Sequence, residues 1–117
     1  MNTYVKVAQL DQVPPGRTIG VEVDGVRIAL YNAGGQIFAT RDSCAHQAWP
    51  LSRGYLRGKY VTCGLHQWVF DVTNGEYQGN PDVHVACFDV KIEGSDVLVS
   101  TTPRTPPPRP FVSRDDA

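Results

Sequence analysis

Two short ligand pairs constrain this chain more than anything else in it: Cys44-Ala45-His46, then sixteen residues, then Cys63-Gly64-Leu65-His66. Each pair offers one thiolate and one imidazole. Two sulfur and two nitrogen donors suit a two-iron, two-sulfide cluster, with both Cys on one iron and both His on the other, or a tetrahedral Zn²⁺. Spacing and surroundings favour the cluster. A common zinc finger keeps its Cys pair together and its His pair together, with one pair usually on a helix. Here each pair is mixed, and both lie within a β pattern. Two correctly spaced pairs also argue against buried Cys and ordinary His that hold no metal. Neutral imidazoles in place of two thiolates remove two negative charges, so such a cluster accepts an electron more readily than an all-Cys one. The simplest protein to build around it is an electron carrier.

Composition excludes other classes. A chain of 117 residues is one domain, able to bury roughly two-thirds of its unfolded surface. Eleven Lys and Arg against twelve Asp and Glu leave a net charge of −1, which suggests neither nucleic acid nor an anionic membrane. No run approaches the ~20 apolar residues of a membrane span. The start, Met1-Asn2-Thr3-Tyr4-Val5-Lys6, has neither an apolar signal core nor a twin-Arg pair, so a cytoplasmic location is expected. Two of the three cysteines belong to the ligand pairs, leaving only Cys87, so a metallated chain has no disulfide framework. Cys87, between Ala86 and Phe88 in a strand-like run, is expected as a buried, inert thiol.

The pattern is β throughout. Residues 18–31 form two alternating runs joined by Asp24-Gly25, a type I′ hairpin signal. A two-residue turn there pairs Val23 with Val26, Val21 with Ile28 and Ile19 with Leu30, all apolar and on one face. Gly94-Ser95 similarly pairs Ile92 with Val97 and Val90 with Val99. A third turn, Thr73-Asn74-Gly75, follows the run 68–72. No stretch of eleven or more residues carries a 3.6-residue apolar period, and short strands with closely spaced turns indicate an antiparallel sandwich or small barrel. From Thr101 onward the chain changes character. Residues 102–110 hold five of the nine prolines, which favour an extended conformation and cannot donate to a ladder.

The ligand pairs and their flanks resemble the Rieske family. The stretch Cys44-Ala45-His46-Gln47-Ala48-Trp49-Pro50-Leu51-Ser52-Arg53-Gly54 is similar to its first cluster loop. Cys63-Gly64-Leu65-His66-Gln67-Trp68-Val69-Phe70-Asp71 is similar to the second, and Gly79-Asn80-Pro81-Asp82 occupies the place of the proline loop that covers the cluster. The resemblance covers roughly residues 4 to 100. It implies an all-β, Rieske-type antiparallel β sandwich with a cluster-binding loop subdomain. That domain would span 1–101, with cluster loops at about 43–54 and 62–71 and the proline loop at about 79–83, followed by a Pro-rich extension over 102–117. One 2Fe–2S cluster is implied, with Cys44 and Cys63 on the inner iron and His46 and His66 on the outer iron near the surface. Gln47, Gln67, Trp68 and Pro81 are the expected neighbours of that cluster, Trp68 as packing that shapes and dries the site. His84 is expected at the surface. If Trp49 is exposed, an apolar patch around the histidine tips would be a docking surface.

Departures within the family narrow the subgroup. High-potential members carry an extra Cys in each loop, joined as a disulfide, and a Ser and a Tyr two and four residues after the second His. Positions 47–49 and 64–65 hold no Cys here, and Trp68 and Phe70 stand where those hydroxyls would be. Fewer donors to the cluster imply a potential toward the bottom of the ~ −150 to +300 mV Rieske range. Ferredoxins of ring-hydroxylating dioxygenases usually have Gly after the second His, where this chain has Gln67. The combination of C-x-H-Q, C-x-x-H-x-W-x-F and Asn80-Pro81-Asp82 is similar to ferredoxins of multicomponent diiron monooxygenases acting on toluene, alkenes or isoprene. That resemblance implies a non-enzymatic carrier passing single electrons from an NADH-dependent flavoprotein reductase to a diiron hydroxylase that oxidises a small hydrocarbon. The alternatives are the ferredoxin of a ring-hydroxylating dioxygenase, and a non-redox, zinc-bearing module of the same fold.

Overall fold

The computed structural model describes residues 4–43, 49–64, 67–100 and 102–103. Twelve strands form among them: β1 (Tyr4–Gln9), β2 (Thr18–Val23), β3 (Val26–Ala33), β4 (Gln36–Arg41), β5 (Tyr55–Arg57), β6 (Tyr60–Thr62), β7 (Val69–Asp71), β8 (Glu76–Tyr77), β9 (Asn80–His84), β10 (Cys87–Phe88), β11 (Val90–Glu93) and β12 (Asp96–Ser100). They make three antiparallel sheets, ordered β1-β12-β11, β10-β4-β3-β2 and β5-β6-β7-β8-β9. No helix among the described residues is long and apolar enough to cross a membrane.

The hairpins follow their turn chemistry. Asp24 and Gly25 both have positive φ, 51° and 80°, as a type I′ turn requires. The register of β2 on β3 is then Val23↔Val26, Val21↔Ile28 and Ile19↔Leu30, as expected. In β11–β12, Ile92 faces Val97 and Val90 faces Val99, with Gly94 at φ 63°.

β3 is buried continuously from Ile28 to Asn32. Its alternating faces feed two cores. Ile28 and Leu30 join Ala8, Val13, Ile37, Phe88, Val97 and Val99 between the first two sheets. Ala29 and Tyr31 point the other way, into a core with Leu51, Val61, Cys63, Phe70, Val72 and Val85. The middle sheet is therefore covered on both faces, and the five-stranded sheet is the platform from which the second ligand loop springs.

One expected loop is not a loop. Residues 79–83 fall mostly in β9, which pairs with β8 through Tyr77↔Asn80 and Glu76↔His84. The residues Gln78-Gly79 alone make the turn. Pro81 is tolerated because β9 is the edge strand of its sheet, where a missing N–H breaks no interior ladder. The expected extension over 102–117 lies outside the described residues apart from Thr102 and Pro103, which are exposed.

Candidate metal centre

Of the four expected ligands, Cys63 is the one that falls among the described residues. It follows β6 directly, is fully buried, and forms no disulfide. Leu51, Val61 and Phe70 belong to the same apolar core, so its sulfur is kept from water. The loop that begins there is tied closed at its base. The Cys63 N–H donates to the Trp68 carbonyl oxygen at 2.7 Å, and the Gln67 N–H donates to the Cys63 carbonyl oxygen at 2.9 Å. His66 lies outside the described residues, but its neighbour Gln67 stands at φ 58°, the left-handed region that glycine adopts without strain and other residues seldom do. Backbone outliers of this kind concentrate at functional sites.

The first loop is closed by side chains. Asp42, buried at the end of β4, accepts hydrogen bonds from the Ser52 N–H at 2.7 Å and the Ser52 hydroxyl at 2.6 Å. That brings Asp42 and Ser52 together; Cys44, His46 and Gln47, which fall between them in sequence, lie outside the described residues. After a 3-10 turn at Leu51–Arg53, Gly54 runs so close to β6 that a Cβ there would collide with the Thr62 carbonyl oxygen. Only glycine permits that approach. The two loops also run close together. A side chain at Gly64 would come within 3.6 Å of Trp49 Nε1 and 3.8 Å of the Arg53 carbonyl oxygen.

Trp68 is supported by aromatic rings. Its ring stacks on Tyr77, centroids 4.0 Å apart and 11° from parallel, and Phe70 packs on both. Trp49 is 37% exposed, so it reaches solvent beside the loops. His84 is exposed. Cys87 is buried on β10 as expected, its sulfur 3.8 Å from the Val85 carbonyl oxygen. Below the second loop, buried Asp71 accepts from Thr73 and pairs with Lys59 at 3.3 Å. That hydrogen bond, and the charge behind it, hold the Lys59 ammonium above its ordinary pKa.

Asp42, Ser52 and Tyr77 were not among the residues the sequence singled out. Asp42 and Ser52 sit ten positions apart with no periodicity to link them, and Tyr77 carries no ligand chemistry. The donor set fits a 2Fe–2S cluster on this geometry. A dry thiol opens a tied loop that lies close to Trp49 and Arg53 of a second tied segment, whose sequence supplies a Cys and a His.

Residues 3–98 match the family model described as the Rieske [2Fe-2S] domain. The chain is 40% identical over 99 residues to the biphenyl dioxygenase ferredoxin subunit of Pseudomonas sp. (strain KKS102), covering 83% of this chain and 91% of that one. It is 39% identical over 97 residues to the ferredoxin component of the naphthalene 1,2-dioxygenase/salicylate 5-hydroxylase systems of a Ralstonia species, covering 82% and 93%. Among solved structures, the ferredoxin of carbazole 1,9a-dioxygenase from Nocardioides aromaticivorans IC177 superposes with a TM-score of 0.79 at 32% identity, covering 86% of this chain and 99% of that one.

Proposed function

The chain belongs to the Rieske [2Fe-2S] domain family, and from that membership we propose that it is the cytoplasmic ferredoxin of an aromatic ring-hydroxylating dioxygenase. It takes single electrons from an NADH-dependent flavoprotein reductase and passes them to the terminal oxygenase. Cys63 carries this reading: a fully buried thiol at the base of a closed loop, on a chain 40% identical to a biphenyl dioxygenase ferredoxin. When bound, the cluster supplies one-electron redox chemistry with no bond-making. Cys44 and Cys63 would hold the inner iron, His46 and His66 the outer one. Leu51, Val61 and Phe70 exclude water from the Cys63 side, Asp42 and Ser52 hold the first loop shut, and the Trp68–Tyr77 stack braces the second. Rigid support of this kind suits electron transfer, because little of the protein has to rearrange when the charge changes.

Gln67 does not argue against a dioxygenase. At φ 58° it occupies the conformation that the glycine usual in dioxygenase ferredoxins would take freely, so the residue differs while the loop path is compatible. A second reading, delivery to a diiron hydroxylase, keeps the support of Gln47, Gln67 and Trp68 as residue types. Reconstitution separates the two. The purified protein is mixed with reductase and, in turn, with the terminal oxygenase of a biphenyl dioxygenase and the diiron hydroxylase of a toluene monooxygenase. Product formation that depends on this protein is expected with the dioxygenase, and turnover only with the diiron enzyme would overturn the main reading.

A further inference from the structure

β5 and β6 form the hairpin that joins the two cluster loops, since the first loop runs into Gly54 and the second begins at Cys63. Its two faces differ. Leu56 and Val61 are cross-strand partners that pack into the second core. Tyr55, Arg57 and Tyr60 point outward and are exposed, with Tyr55 at 73%. Register places Arg57 opposite Tyr60, and Tyr55 opposite Thr62, one residue before Cys63.

Charge is segregated on the same hairpin. Residues 53–62 hold three of the eleven Lys and Arg and none of the twelve Asp and Glu, a charge of +3 against −4 for the rest of the chain. Lys59 is matched by Asp71. Among the described residues neither Arg53 nor Arg57 has an ion-pair partner, so two guanidinium groups remain uncompensated beside two exposed tyrosines. Tyr and Arg are the residue types that anchor protein interfaces. Encounter is steered by the local field at the docking face rather than by net charge.

Building on the electron-carrier reading, we propose that the outward face of this hairpin, formed by Tyr55, Arg57 and Tyr60 and extended by the exposed Arg53 that precedes it, is a docking surface for the acidic face of an electron-transfer partner. It seats that partner beside the loop that starts at Cys63. The partner's chemistry follows from the charge: carboxylates complement the two free guanidinium groups, and the flat tyrosine rings supply the dry contact between them.

The test uses reduced holoprotein and two one-electron oxidants in stopped flow, anionic ferricyanide as the probe of an anionic partner and cationic hexaamminecobalt(III) as its opposite. Each reduced protein gives one electron to one oxidant. Ferricyanide is expected to react fastest at low ionic strength and to slow about tenfold as salt shortens the Debye length from ~30 Å to ~8 Å; hexaamminecobalt(III) is expected to show no such slowing. Arg57→Glu should weaken the ferricyanide dependence without changing the EPR signal, and Arg57→Lys should retain it. A wild-type ferricyanide rate that is flat or rises with salt, or one unchanged in the Glu variant, overturns the docking surface and leaves the carrier standing. A purified protein without iron and labile sulfide overturns both.

Discussion

Cys63 and Cys87 are both buried thiols in different settings. Cys63 opens a tied loop close to Trp49 and Arg53, whereas Cys87 is enclosed on β10 opposite Thr40. The proposed ligand role of Cys63 therefore rests on its loop and motif and not on burial. Cys63→Ser is expected to abolish the visible absorbance and rhombic EPR signal of the cluster. Cys87→Ala should leave both intact and lower stability by roughly 1 kcal/mol. Iron and labile-sulfide assays on the two variants check this, and a Cys63→Ser protein that still carried a full cluster would remove Cys63 from the ligand set. The same scale shows what residue type hides. Gln67 reads as a departure from the family pattern in sequence, but its φ of 58° shows a backbone that glycine could equally follow.

At the scale of the element, local chemistry was a good guide where both partners lie close in the chain. The β2–β3 and β11–β12 registers follow from period-2 apolar patterns and their turn residues, because a one-residue slip would turn every buried side chain outward. The reading weakened over 79–83, where the family resemblance implied a loop. The structure places these residues on an edge strand, where the absence of an N–H is harmless. That strand matters to the site through β8. Tyr77, fixed by pairing with Phe70 and Asn80, stacks on Trp68 and braces the arm of the second ligand loop. Tyr77→Ala should destabilise the holoprotein by about 2 kcal/mol, given losses of 3–5 for fully buried aromatics, and speed cluster bleaching. Tyr77→Phe should restore both. Urea melts and the decay of visible absorbance read the outcome, and unaltered bleaching in Tyr77→Ala would show that the stack does not brace the loop.

For the molecule as a whole, two cores share one strand, and Tyr31 on β3 lies in the second of them. Its hydroxyl pairs with the Thr40 hydroxyl at 2.8 Å. Burial pushes the phenol pKa far above its ordinary value, with the Thr40 hydrogen bond acting the other way. Because the folded value is raised, this stabilisation is complete below the unfolded pKa of about 10 and is lost as pH rises beyond it, since the unfolded chain ionises first. Lys59, also raised by Asp71, has the same sign: its contribution weakens as pH climbs through its folded pKa. The melting temperature should therefore fall above about pH 10, and less steeply in Tyr31→Phe. Identical alkaline limbs for the two proteins would count against Tyr31 as a source.

The amino-acid sequence by itself determined the β class, the two hairpin registers and the Rieske family, because motif residues, turn residues and alternating apolar positions are written at short range. Tertiary structure alone decided what holds the site. Asp42 meets Ser52 across a loop, Gly54 presses on the Thr62 carbonyl, Trp68 finds Tyr77, and the Ala29–Tyr31 face of β3 is covered by a third sheet. None of these contacts has a period or a fixed spacing. Each joins residues that become neighbours only after the sheets have packed, and no local pattern encodes which distant surface a strand will meet.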